Sequence, residues 1–344
     1  MIYEPEKRVT FVDIMKAITI FLVVLGHTPI CSGWLIKWIY AFHMPAFFAV
    51  YGMTYNIDSH KKRNWLTLDF ALNKVKRLLV PCFIWGLIYA SFSPKSIALV
   101  LYGSQASFRN ASSLTSLWFL SCMFLCVLAF ELLMRVLSKL GSLARGIILA
   151  AVAVILFSAG CFLPKIGIGY PWNADVMLPA LGFIIAGYGI SFAIKNVPKL
   201  NEGKPWLWII IFVISSALTL LFIPNLSNID KNNVDFASRT FGNPALFAAA
   251  ALAGTLMLTA VSVLISEIKW MNWLSEVGKY SLAILLLHKF PVILIGDYLA
   301  SKGFGNSLTA ILLALAITAL SFLVAKAIEY FAPNLIGISA KPKK

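Results

Sequence analysis

The segment Phe11–His27 reads as a membrane helix that ends on a histidine and carries a lysine, Lys16, near its start. On an α-helix this spacing is three turns plus about 20°, and roughly 16 Å of rise. Both side chains therefore share one face, far apart along the axis. Ionisable groups in such a segment are costly and face a cavity or a polar partner. The pair points to a polar path entering from one side of a bilayer, with a proton acceptor, His27, deep along it. Lys16 has a second reading, an ion pair with Asp13 one turn earlier.

Other residues extend the path. The next apolar segment begins near Trp34 and runs back inward. His43 then lies roughly 13 Å below the outer surface, at a depth that lets it share a cavity with His27. Pro45, two residues on, is expected to open a local break in the helix. Lys74 and Arg77 precede the third apolar segment and suit phosphate groups. Positive-inside anchoring explains such a cluster equally. Asp175 opens the sixth segment, as a helix N-cap or as a group orienting a histidine or a hydroxyl. In the polar loop 225–243, Asp235, Arg239 and Asn243 offer donors and acceptors that suit a sugar, as they would suit any exposed loop. His288 and Lys289 sit near the middle of the ninth segment, where His288 reads as a polar tie between helices.

The elements that hold these residues follow from composition. The chain has 344 residues, 60% hydrophobic and 12% charged, with a mean hydropathy of +0.85. A soluble domain carries about a quarter charged residues, so this is an all-α, polytopic membrane protein. About ten spans fit, near 11–30, 34–55, 79–101, 114–134, 146–163, 174–194, 206–223, 244–266, 280–299 and 307–330. The third is interrupted at Ser93-Pro94-Lys95. Asp13 and Lys16 argue that the first span is not a cleaved signal.

The 29 Lys and Arg against 14 Asp and Glu track the loops, which argues against nucleic acid as a partner. Lys7, Arg8, the Lys61-Lys62-Arg63 run, Lys74, Arg77, Arg135, Lys139, Arg145 and the Lys341-Pro-Lys-Lys tail fall on one side, with few cations on the other. That bias places both termini in the cytoplasm. The five cysteines lie in or beside apolar segments and read as packing residues; no metal site is expected.

Taken in order, several segments resemble the acyltransferase family 3 membrane proteins, in particular the fucose 4-O-acetylase-like branch. They are Asp13-Ile-Met-Lys16 with Val23-Val-Leu-Gly-His27, Tyr40-Ala-Phe-His-Met-Pro-Ala-Phe-Phe48, Lys74-x-x-Arg77, Leu117-Trp-Phe-Leu120 and Ser281-Leu-Ala-Ile-Leu-Leu-Leu-His288. The resemblance implies a single membrane domain over 1–344, in a bacterial inner membrane and surrounded by lipid. It implies transfer of an acetyl group from cytosolic acetyl-CoA to a hydroxyl of an envelope glycan or lipid-linked sugar, without a metal. His27 would be the general base or an acylated nucleophile, with His43 or Asp175 orienting it. Lys16, Lys74 and Arg77 would bind the CoA phosphates or guide its arm, and Asp235, Arg239 and Asn243 the acceptor. The family commonly has Arg where this chain has Lys16 and Lys74, which keeps the charge but not the bidentate fork. Some relatives carry an added esterase-like domain; this chain is expected to act as a membrane core alone.

A second class fits the same intramembrane His and Lys: a transporter or flippase for a small solute or a lipid-linked sugar. Saturable CoA binding that weakens when Lys74 and Arg77 are neutralised separates the two.

Overall fold

The computed structural model describes residues 9–62, 67–90, 93–111, 115–223 and 234–338. Lys7, Arg8, Arg63, the first part of the 225–243 loop and the Lys341–Lys344 tail lie outside them. Among the described residues the fold is helical, with one isolated antiparallel bridge between Asp235 and Thr240. The helices used below are α1 (Thr10–His27), α2 (Gly33–Thr54), α3 (Val80–Ile88), α4 (Pro94–Tyr102), α5 (Gln105–Ala111), α6 (Trp118–Val136), α7 (Ser142–Phe162) and α8 (Ala174–Asn196). They continue with α9 (Pro205–Phe222), α10 (Pro244–Ser266), α11 (Trp273–Lys279), α12 (Ser281–Leu287) and α13 (Ser307–Phe331).

Eight helical segments among the described residues are long and apolar enough to cross a bilayer, and they coincide with eight of the ten anticipated spans. In lipid each backbone N–H and C=O must be satisfied within the chain, which a helix does by itself. The other two segments differ for visible reasons. α2 has 22 residues, but its polar and ionisable side chains, Lys37 and His43 among them, lower its hydropathy. The third segment is divided: a π-helical turn, Val75–Leu79, leads into α3, and α4 starts at Pro94 with Ser93 as its N-cap. Pro45 does not break α2, which runs through it.

Burial separates centre from periphery. The apolar window of α1 is 72% buried, against 11% for α7 and 17% for α9, so α1 stands inside the bundle while α7 and α9 stand at its surface. α2 packs between α8, α10 and α1. Close approach depends on small residues. A Cβ on Gly52 of α2 would lie 1.9 Å from the Ile184 carbonyl oxygen, and one on Gly187 of α8 would lie 1.9 Å from that of Ala49. Likewise a Cβ on Gly278 would fall 1.8 Å from the Asp13 carbonyl oxygen, so α11 lies backbone to backbone against α1.

The segment after α12 is irregular. Pro291 has no N–H to offer the preceding turn, α12 stops at Leu287, and a π-helical turn follows at Val292–Gly296. π-turns often mark functional sites, and here His288 and Lys289 sit immediately ahead of one.

Candidate active site

A cavity of about 370 Å³ opens where the last turn of α1 meets the first half of α2. His27, His43, Tyr40, Gln105, Arg109, Asp235 and Lys289 supply its polar lining, with Trp118 and Phe119 of α6 as an apolar wall. α1 ends at His27 because Thr28 turns to extended backbone and its hydroxyl donates to the Leu25 carbonyl at 2.7 Å. Gly26 lets α2 come close: a Cβ there would sit 3.0 Å from Tyr40 Cε2. The two histidines expected to share a cavity do so.

His27 is joined to His288, 2.9 Å from Nδ1 to Nε2. The ring planes differ by 10° with centroids 5.1 Å apart, the arrangement of two imidazoles lying edge to edge in nearly one plane. His288 is fully buried, and its Nδ1 lies 2.9 Å from the Leu285 carbonyl oxygen and 3.1 Å from that of Ile284. Only an N–H can donate to a carbonyl, so a neutral His288 carries its proton on Nδ1 and offers a lone pair at Nε2. His27 must then donate through Nδ1, which leaves the lone pair on its own Nε2. The hydrogen-bond pattern thus assigns both tautomers. His43 repeats the device, its Nδ1 donating to the Ile39 carbonyl at 2.8 Å. Two imidazoles therefore line one cavity, each with its Nδ1 committed and, among the described residues, its Nε2 free of hydrogen bonds to protein.

The loop above the cavity is held by buried polar ties. Arg239 has φ 53° and is buried. Its Nε donates to Asp175 Oδ2 at 2.6 Å, Nη1 to the carbonyls of Gly160 and Leu163 at 2.8 Å each, and Nη2 to that of Pro164 at 3.1 Å. Asp175, anticipated as an N-cap or a catalytic group, lies inside the first turn of α8 and is engaged by Arg239. Asn173 precedes that helix, with φ 57°. Its amide nitrogen donates to the carbonyls of Gly103 and Trp118 and to Ser121 Oγ, while its oxygen accepts from the Gln105 N–H. Asn243 caps α10, accepting from the N–H groups of Ala245 and Leu246. Of the three loop residues expected to meet a sugar, Asp235 lines the cavity. Arg239 and Asn243 do fold-building work, because their hydrogen-bonding groups are used inside the protein.

A second cavity, about 290 Å³, lies at the other half of α2 and is lined by Tyr51, Thr54, Lys74, Arg77, Lys279 and Tyr280, among others. Lys74 Nζ stands 5.1 Å from the Phe70 ring centroid and 5.5 Å from that of Tyr51. Arg77 Nε donates to the Gly337 carbonyl at 3.3 Å. Lys16 is not in this lining: its Nζ pairs with Asp13 Oδ1 at 3.0 Å.

Both cavities draw on α6 and α12. Trp118 and Phe119 face the histidine cavity, whereas Met123 and Val127 face the basic one. On α12 Leu285 faces the first, and Leu282 and Ala283 the second. From Phe119 to Met123 along α6 the rise is roughly 6 Å, and from Leu282 to Leu285 along α12 roughly 4.5 Å, so the partition along these walls is thin.

Of the residues singled out from sequence, His27 and His43, expected to share a cavity, and Asp235, expected in an external loop, line the first cavity, and Lys74 and Arg77, expected to meet phosphates, line the second. Sequence reasoning ranked His288 as a packing tie and gave Lys289 and Arg109 no role at a site. The available signal for His288 was its position three residues before Pro291, where a helix in lipid loses a backbone hydrogen bond.

A family model described as an acyltransferase domain, that of acyltransferase family 3, matches residues 9–328. Comparison with curated proteins and with solved structures gave no match. The family model covers both cavities and all but the ends of the chain, so this multi-pass membrane protein belongs to acyltransferase family 3 and is an acyltransferase.

Proposed function

We propose that the enzyme carries an acetyl group from acetyl-CoA at the basic cavity to a hydroxyl of a cell-envelope glycan or lipid-linked sugar at the histidine cavity. In this reading it resides in a bacterial inner membrane with both termini cytoplasmic. The observation that carries it is the His27 imidazole, its Nδ1 proton directed to His288 and its Nε2 lone pair left at the cavity.

In the reaction, the acceptor hydroxyl lies against His27 Nε2, which takes its proton as the oxygen attacks the thioester carbonyl carbon. The C–O bond forms and the C–S bond breaks. The departing sulfur collects the proton from His27, leaving an ester and CoA-SH. Such base catalysis is worth about 10² to 10⁴ in rate. His43 Nε2 accepts a second hydroxyl and orients the sugar. Lys74, Arg77 and Lys279 hold the CoA phosphates as charge-assisted contacts. The thin partition leaves a short distance for the acyl-bearing arm to cross. The positive-inside bias and the split of basic and histidine cavities along α2 support the cytosolic placement of the donor.

The test is transfer of labelled acetyl from acetyl-CoA to envelope material by the purified full chain. His27→Ala should lower kcat by about 10² or more, and retained activity overturns the assignment.

A further inference from the structure

Resting on the proposed transfer, the geometry points to an anionic acceptor: a sugar bearing a carboxylate or a phosphate beside the hydroxyl that is acylated. Arg109 of α5 and Lys289, which follows His288, line the same cavity as His27 and His43. Among the described residues neither makes a hydrogen bond or an ion pair with a protein group; Lys289 is half-buried, whereas Arg109 is exposed to water. A cation removed from water needs a partner.

The carboxylate in this lining, Asp235, does not meet that need. Its Oδ1 accepts from the Ala237 N–H at 3.0 Å, and its Oδ2 from Ser238 Oγ at 2.5 Å and from Gln105 Nε2 at 3.5 Å. It is spent on the loop that carries it. The two histidines, neutral in the tautomers assigned above, add no charge. The cavity therefore presents two cations against one carboxylate already hydrogen-bonded within its loop. Lys289 is the chain neighbour of the residue that orients His27, so an anion bound there lies beside the base.

A neutral hydroxyl donor leaves the half-buried Lys289 without a counter-charge. A uronic-type carboxylate or a sugar phosphate supplies one, and Arg109, at the exposed side of the cavity, can meet either with paired N–H donors. The CoA phosphates have their own cations at the basic cavity, on the other half of α2.

The experiment compares three acceptors of one sugar skeleton, the neutral glycoside, its uronic acid and its phosphate, with labelled acetyl-CoA and the full chain. An acidic acceptor should show a kcat/KM at least tenfold above the neutral one. Lys289→Gln and Arg109→Gln should each remove about tenfold for acidic acceptors and little for the neutral one. The two acidic arms distinguish carboxylate from phosphate. Equal kcat/KM for neutral and acidic acceptors overturns the inference. So does an equal loss for both in Lys289→Gln, which assigns the ammonium to the transition-state oxyanion.

If no sugar is acetylated, the transfer reading fails separately. Binding then decides the inference, read from tryptophan fluorescence of the chain (Trp118 lines the cavity) during titration with glucuronate, glucose and inorganic phosphate. Anion-selective quenching lost in Lys289→Gln sustains it. Quenching that does not discriminate charge, or none, overturns it.

Discussion

Replacing His288 tests how the base is set. His288→Leu keeps bulk in a fully buried site but removes the acceptor 2.9 Å from His27 Nδ1. The donor then lies unpaired in an enclosed environment, which costs about 1–3 kcal/mol. The imidazole escapes that cost by turning, or by moving its proton to Nε2, and either change withdraws the reactive lone pair. At about 1.4 kcal/mol per tenfold, kcat should fall by about fivefold to 150-fold. KM for acetyl-CoA should hold, since Lys74 and Arg77 are untouched. His288→Gln places an amide oxygen where Nε2 was and should recover most of the loss. The assay is steady-state acetyl transfer by the full chain in detergent. The double variant His27→Ala/His288→Leu should be no slower than His27→Ala alone, because His288 acts through His27. Wild-type kcat in His288→Leu, or strictly multiplicative losses in the double variant, would refute the tautomer argument.

Other expectations concern the fold and the donor. Arg239→Leu leaves the Asp175 carboxylate buried without its counter-ion and should cost about 3–5 kcal/mol, read as a large drop in Tm; Arg239→Lys should not rescue it, lacking the fork that reaches four acceptors. Gly278→Ala should lower stability by about 1–3 kcal/mol as α1 and α11 are forced apart, read by thermal unfolding in detergent. Lys74→Gln and Arg77→Gln should each raise KM for acetyl-CoA by about tenfold with kcat little changed, and the wild-type KM should rise with ionic strength.

Much of the fold was legible because lipid imposes simple rules: eight of the ten anticipated spans came from apolar length alone. The interruption at Ser93-Pro94 was readable from an N-cap residue followed by proline. α2 shows the limit. Its polar side chains depress its hydropathy, yet they include the residues that line the site. His27 and His43 were found together since both are placed by neighbouring helices of known direction. His288 was undervalued because its partner is distant in sequence, and nothing local signals a contact of that range. The pairing of Arg239 with Asp175 was not legible for the same reason. Each looked available within its own segment, and each is consumed by the other. Asn243 was legible in hindsight, since Asn-Pro before an apolar run is the sequence of a capped helix start.

The π-turn at Val75–Leu79 has a consequence for chain length. Its closing bond runs from the Val80 N–H to the Val75 carbonyl, one residue longer than an α-helical bond. Such a turn is an α-helix with one extra residue absorbed in place. Excising one residue there would leave a continuous helix and a normal backbone. The segments on either side would keep their facing, and only the residues of the turn itself would change direction, by up to about 100°. Arg77 lies inside that turn, so the shortened chain would keep its flanking helices in place while redirecting the guanidinium. A chain shorter by that single residue would insert and fold yet have lost its hold on the donor.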